Sequence, residues 1–158
     1  MESILIIPER TEVEYANEKY LYNLSTRVVR YGRRSAYYYN LVAGLRHTFG
    51  NNITINLLFY EGQNNQYKRS LVEIKLKLCD LFQRDQYFGK MFSQILRKHG
   101  KSCPFPPGLY EFLNTTLPSE KFPNILLFEK GKIELVFNQL PTQDLVAKIS
   151  TIFTIKRS

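Results

Sequence analysis

A chain of 158 residues with 44% apolar side chains fits one domain spanning residues 1–158 and carries enough apolar material for a real core. Its 11 tyrosines and 11 phenylalanines, without any tryptophan, favour strands around a large apolar interior over a helical bundle. The net charge of +8 suits an acidic partner such as nucleic acid or anionic lipid headgroups, or does no more than keep a monomer in solution. No apolar run approaches the roughly 20 residues that a membrane-spanning helix needs.

Met1-Glu2-Ser3 lacks a basic start and the apolar run Ile4-Leu5-Ile6-Ile7 stops at Pro8, so the sequence reads as a mature form with a starting Met rather than one headed by a signal peptide. Glu9, Glu12, Glu14 and Glu18 follow as a solvated acidic face. Residues 19–31 are β-prone but alternate poorly. The aromatic-rich run 35–47 is expected to form a hairpin with the stripe Ile53, Ile55, Leu57 and Phe59, turning at Phe49-Gly50-Asn51-Asn52. The clearest strand is 72–78, where Val72, Ile74, Leu76 and Leu78 face inward while Glu73, Lys75 and Lys77 face water. Parity places Cys79 on the lysine side. Either the strand bends there or a disulfide ties the next segment across the sheet's end.

An amphipathic helix is predicted at about 86–98. Tyr87, Phe88, Met91, Phe92, Ile95 and Leu96 share one half of it, with Asp85 as N-cap and Gly100 as stop. It either closes one end of a β core or serves as wall or lid of an apolar pocket. A further hairpin is expected to turn at Lys130-Gly131-Lys132, between arms 125–128 and 133–137. A last strand alternates through Leu145, Ala147, Ile149, Thr151, Phe153 and Ile155.

Cys79 and Cys103 are the only cysteines, and they bracket the strand end, the helix and a Pro-rich segment. The bracket points to secretion and a single disulfide; the alternative is two buried free thiols in a cytosolic protein. A zinc site lacks ligands, since no Cys-x-x-Cys occurs and only His47 and His99 accompany the pair. Asn23-Leu24-Ser25, Asn52-Ile53-Thr54 and Asn114-Thr115-Thr116 are acceptor sequons for N-glycosylation. Of these, Asn52 carries most weight, because Gly50-Asn51-Asn52 reads as an exposed turn.

No nucleophile elbow, phosphate-cradling glycine loop or His-Glu-x-x-His occurs, and no carboxylate pair is placed for glycoside cleavage. An enzyme is disfavoured, and no cofactor or metal is expected. The basic run 27–34, followed by Tyr37-Tyr38-Tyr39, lacks an RNA-recognition or helix-turn-helix pattern. Nucleic acid is therefore a disfavoured partner, and the run reads instead as a basic strand edge or a contact for anionic headgroups.

From Tyr67-Lys68-Arg69-Ser70 through Leu78-Cys79-Asp80-Leu81-Phe82 to Ser102-Cys103-Pro104-Phe105 and Gly108-Leu109-Tyr110, the sequence resembles a large uncharacterised family of secreted insect proteins. That family includes the chemosensory-bristle proteins called CheB and is related to lipid-recognition domains such as the ganglioside activator. Leu117-Pro118 and Phe122-Pro123 also fit its pattern, whereas Lys98-His99-Gly100-Lys101 and Ile133 depart from it. The resemblance implies a secreted β-cup or β-sandwich with an apolar cavity and a Cys79–Cys103 disulfide. The expectation that follows is a mainly β, antiparallel fold with one helix, carrying a hydrophobic or amphipathic small molecule, lipid or pheromone-like. Val72, Ile74, Leu76, Leu78 and the helix face would contribute to its lining. The alternative is an extracellular interaction protein with a packed core, acting through its basic aromatic surface.

Overall fold

The computed structural model describes residues 4–84, 102–115 and 129–157. In chain order these form β1 (Ile4–Ala16), β2 (Leu21–Arg30), β3 (Tyr37–Leu45), β4 (Ile53–Gln63), β5 (Gln66–Lys77), α1 (Leu78–Arg84), β6 (Gly108–Thr115), β7 (Lys130–Gln139) and β8 (Leu145–Arg157). All pairings are antiparallel. They make a five-stranded sheet ordered β1-β8-β7-β4-β5 and a three-stranded sheet ordered β2-β3-β6. This is the mainly β, antiparallel sandwich or cup that the sequence resemblance implies.

Period-two patterning builds the large sheet. Ile53, Ile55, Leu57 and Phe59 are all at most 3% exposed, while Thr54, Asn56, Leu58 and Tyr60 between them are half-buried on the other face. β8 repeats the pattern with Ile149, Thr151, Phe153 and Ile155 inward. β4 and β5 form a hairpin whose two-residue loop is Asn64-Asn65, both at positive φ (50° and 64°). Asparagine tolerates that left-handed backbone, which such a turn requires at both central positions.

Two sequence expectations are corrected here, and one strand is added. The segment after β3 is not a hairpin turn: β3 belongs to the small sheet and β4 to the large one, so residues 46–52 carry the chain between sheets. Phe49 bridges Phe105 in that segment with backbone hydrogen bonds of 2.9 and 2.8 Å. Lys130-Gly131-Lys132 is not a turn either, because these residues pair with Thr154, Phe153 and Ile152 of β8 at the start of β7. The proposed arm 125–128 lies outside the described residues. Finally, residues 4–16, for which the sequence shows no strand signal, form a thirteen-residue strand, and its Glu9, Glu12 and Glu14 face solvent as expected. Pro8 is accepted because β1 is an edge strand and its register shifts between Pro8 and Arg10.

Asn17 links the sheets where β1 hands over to β2. Its backbone N–H donates to Val146 O (2.9 Å), its Nδ2 donates to Leu145 O (3.0 Å), and its carbonyl accepts from Tyr20 and Leu21. At the other end of β5 the chain bends. α1 begins at Leu78, turning Cys79 inward to 7% exposure, where its sulfur is bonded to Cys103 across a Cα–Cα distance of 5.4 Å. Asn51 Oδ1 accepts the Cys79 N–H at 3.0 Å, so the crossing segment, the helix and the disulfide close one end of the sandwich together. The helix predicted at 86–98, with Asp85, Gly100 and His99 beside it, lies outside the described residues.

Candidate ligand-binding site

The inner faces of the two sheets do not fill the space between them. A cavity of about 140 Å³ remains, bounded by Leu24, Leu41 and Phe112 from the small sheet and by Leu57, Leu135 and Ile149 from the large one. Its disulfide-bonded end is walled by Phe49, Leu78, Leu81, Phe82 and Phe105. Those aromatics lock edge to face, Phe82 on Phe105 at 5.1 Å and Phe105 on Tyr110 at 5.4 Å between ring centroids. The volume is close to that at which an engineered apolar cavity stays dry and takes up benzene.

Among the described residues, no charged side chain lines this space, and the three polar ones, Tyr39, Tyr110 and Thr151, are engaged elsewhere. Tyr110 donates its hydroxyl to Pro106 O at 2.7 Å. Thr151 Oγ1 lies 3.0 Å from Thr11 Oγ1, which is also within reach of Ser150 O (3.1 Å), Thr26 Oγ1 (3.2 Å) and the Tyr39 hydroxyl (3.4 Å). Burial pushes the Tyr39 hydroxyl above the usual tyrosine range, partly opposed by hydrogen bonds with Thr11 and Thr151. Such a lining accepts carbon and repels charge, since an unpaired ion inside it would lose its hydration with no compensating partner.

The ten residues predicted to line a pocket divide into three groups. Leu78 is in the cavity wall. Val72, Ile74 and Leu76 point inward from β5 as predicted, but they pack against the core cluster around Phe59 and Phe153 and do not reach the cavity. Tyr87, Phe88, Met91, Phe92, Ile95 and Leu96 lie outside the described residues. Sequence reasoning missed the whole small-sheet wall. Leu24, Leu41 and Phe112 each sit in alternating stretches, but aromatics and bulges blur the pattern there.

Outside the core, charge is unevenly placed. Between Glu18 and Glu61 the chain has Lys19, Arg27, Arg30, Arg33, Arg34 and Arg46 and no acidic residue, and this span supplies β2 and β3. Arg30 stacks on Tyr37 at 4.7 Å, and Tyr31 lies 5.8 Å from Tyr38. On the outer face of the large sheet, nearly buried Glu134 pairs with Lys148 at 3.4 Å, and Lys148 reaches Glu14 at 3.5 Å. Burial pulls the Lys148 ammonium down, but Glu134 and Glu14 outweigh it and the net displacement is upward. His47 Nε2 contacts Lys19 O at 3.1 Å. No group of three or more His, Cys, Asp or Glu able to hold a metal occurs among the described residues, and no described helix is long and apolar enough to cross a membrane.

The three sequon asparagines are all exposed, Asn23 and Asn114 on the small sheet and Asn52 in the crossing segment. No curated protein matches the chain. A family model described as "Protein of unknown function (DUF1091)" matches residues 52–133, a span running from β4 through the disulfide and β6 into β7. That is just over half of the sequence, and the chain belongs to this family.

Proposed function

We propose that this chain is a secreted carrier that binds a small hydrophobic molecule between its two sheets. The observation that carries the reading is the 140 Å³ cavity with an uncharged, almost wholly carbon lining. A guest there gains roughly 25 cal/mol for each Å² of apolar surface withdrawn from water. An amphipathic guest would keep its charged end outside the cavity. The Cys79–Cys103 disulfide fits an oxidising compartment and so supports secretion. The sequence resemblance to secreted insect proteins related to lipid-recognition domains agrees with both points, and a lipid or pheromone-like ligand is the natural candidate class.

The test is a binding series of equal chain length, comparing an alkane, its alcohol and its carboxylate, on the wild type and on Ala43→Phe. Ala43 lines the cavity from β3, and the larger ring is expected to occupy it. The alkane and alcohol should bind to the wild type and the carboxylate at least tenfold more weakly, with all binding lost in the folded variant. Equal binding to both proteins would place the guest elsewhere and sink the proposal.

The acid-free span of β2 and β3 favours a second reading, an extracellular interaction protein acting through its basic aromatic surface. Charge reversal at Arg33 and Arg34 separates the two, since it should spare guest binding and damage a surface-driven association.

A further inference from the structure

We infer that Asn23 and Asn114, and not Asn52, carry N-linked glycans, so that the outer face of the small sheet is a sugar-covered surface. The inference rests on the secretory reading above, because the donor, a lipid-pyrophosphate-linked oligosaccharide, meets the chain only on that route. In the transfer, Asn Nδ2 forms a bond to C1 of the first sugar. The C1–O bond to phosphate breaks, the lipid pyrophosphate leaves with the electron pair, and the amide gives up one proton. The product needs a side chain whose nitrogen points to open solvent.

Asn52 is exposed, but both ends of its carboxamide are held. Oδ1 accepts the Gly50 N–H at 2.7 Å and Nδ2 donates to Thr48 O at 3.3 Å. The loop it holds is tight. A Cβ placed on Gly50 would meet Pro104 Cβ at 3.1 Å and Cys79 Sγ at 3.7 Å. A glycan on Asn52 would therefore start from the loop that packs against the disulfide.

Asn114 is arranged differently. It sits at φ 56° near the end of β6, and its Oδ1 accepts the Tyr31 hydroxyl at 2.6 Å. That bond uses the oxygen, and no described residue takes the nitrogen. Asn23 lies at the register shift of β2 opposite Gly44, and neither end of its carboxamide has a partner among the described residues. Because Leu24 and Ala43 line the cavity, Asn23 and its partner Gly44 face away from it. Each acceptor also has an exposed tyrosine beside it, Tyr22 at 50% and Tyr31 at 64% exposure. The C–H face of a sugar ring can pack on such a ring, which gives these apolar surfaces a cover. A face covered in this way is closed to a broad protein partner.

The test uses the full chain behind a heterologous signal peptide in eukaryotic cells, so entry to the secretory route is supplied. Peptide mass mapping after enzymatic deglycosylation in heavy-oxygen water reads occupancy at each asparagine. The expected result is label at Asn23 and Asn114 and none at Asn52. Asn23→Gln and Asn114→Gln should each remove one glycan mass, and Asn52→Gln none. Glycan on Asn52, or an empty Asn23 or Asn114, overturns the inference, and the wild-type map alone suffices if a variant fails to fold. Mapping the protein from its native source isolates the other premise. Free thiols and no glycan there, with both sites filled in the signal-peptide version, would remove the secretory reading and leave the assignment of the face intact.

Discussion

The five-stranded and three-stranded sheets share an antiparallel design and differ in how firmly each is held. β4 is paired on both sides and buries Ile53 and Phe59 completely, with Ile55 and Leu57 close behind. β2 passes a register shift beside Tyr22, and its inward residues Leu24, Thr26 and Val28 are only half-buried. The contrast teaches that the large sheet holds the most completely buried side chains, whereas the small sheet packs through a second cluster, Leu21, Leu45, Tyr110 and Phe112 with Phe49, Leu78 and Phe105, and leaves the rest of the inner face of β2 half-buried. The cavity lies between the two sheets and is bounded by both, and four experiments can break or sharpen the comparison.

The largest effect is expected at the centre of the large sheet. Phe59→Ala should cost about 3–5 kcal/mol of unfolding free energy, measured from urea midpoints, because the fully buried ring leaves a void that its neighbours cannot close. Leu24→Ala should cost clearly less, since half-buried Leu24 already borders a cavity. Equal losses at the two positions would mean that the sheets are packed alike. Next comes the closed end. Cys103→Ser should lower stability by about 3 kcal/mol, for a bridge spanning a sequence separation of 24. The wild type under reducing conditions should match the variant.

A smaller change is expected on the outer face of the small sheet. A Cβ at Gly44 would lie 2.5 Å from the Tyr22 ring, so Gly44→Ala must push that ring aside at a cost of about 1–2 kcal/mol. Pairing it with Tyr22→Ala should recover most of the loss attributable to the clash. The smallest effect concerns pH. Burial raises the Tyr39 hydroxyl, so the folded state holds that proton more firmly than the unfolded chain does. The stability this contributes is fully present below the unfolded tyrosine value of about 10 and declines as pH rises past it. Lys148, also raised, acts in the same window and direction, since its ion pairs with Glu134 and Glu14 weaken as it loses its proton. Tyr39→Phe should flatten the alkaline limb of a stability-versus-pH profile. An unchanged limb would place the Tyr39 hydroxyl in contact with water.

Alternation made β4, β5 and β8 legible because each buries one face and leaves the other polar. β1 was hidden by Pro8 and by glutamates that face solvent, features an edge strand tolerates and a central strand does not. The turn expected at Phe49-Gly50-Asn51-Asn52, between 35–47 and the stripe from Ile53, reverses no strand pair, whereas Asn64-Asn65 closes a hairpin between β4 and β5. Both pairs have turn chemistry, and only the pairing of β4 with β5 and β7 decides which one reverses a strand. The cavity was the least legible feature. Periodicity tells which side of Leu76 or Leu41 is inward, but whether that side meets another side chain or empty space depends on how far apart the two sheets settle. Hence Val72, Ile74 and Leu76 were rightly turned inward and still lie beyond the cavity.

The most direct test of a container is to watch its wall while a guest enters. Titration of the folded protein with butylbenzene, followed by methyl resonances of leucine, isoleucine and valine, should give saturable shifts at Leu24, Leu41, Leu135 and Ile149, all of which line the cavity. Ile155, buried in the core cluster of the large sheet and absent from that lining, should stay unmoved. Shifts spread evenly over surface and core, or no saturable shift at any cavity methyl, would contradict the account.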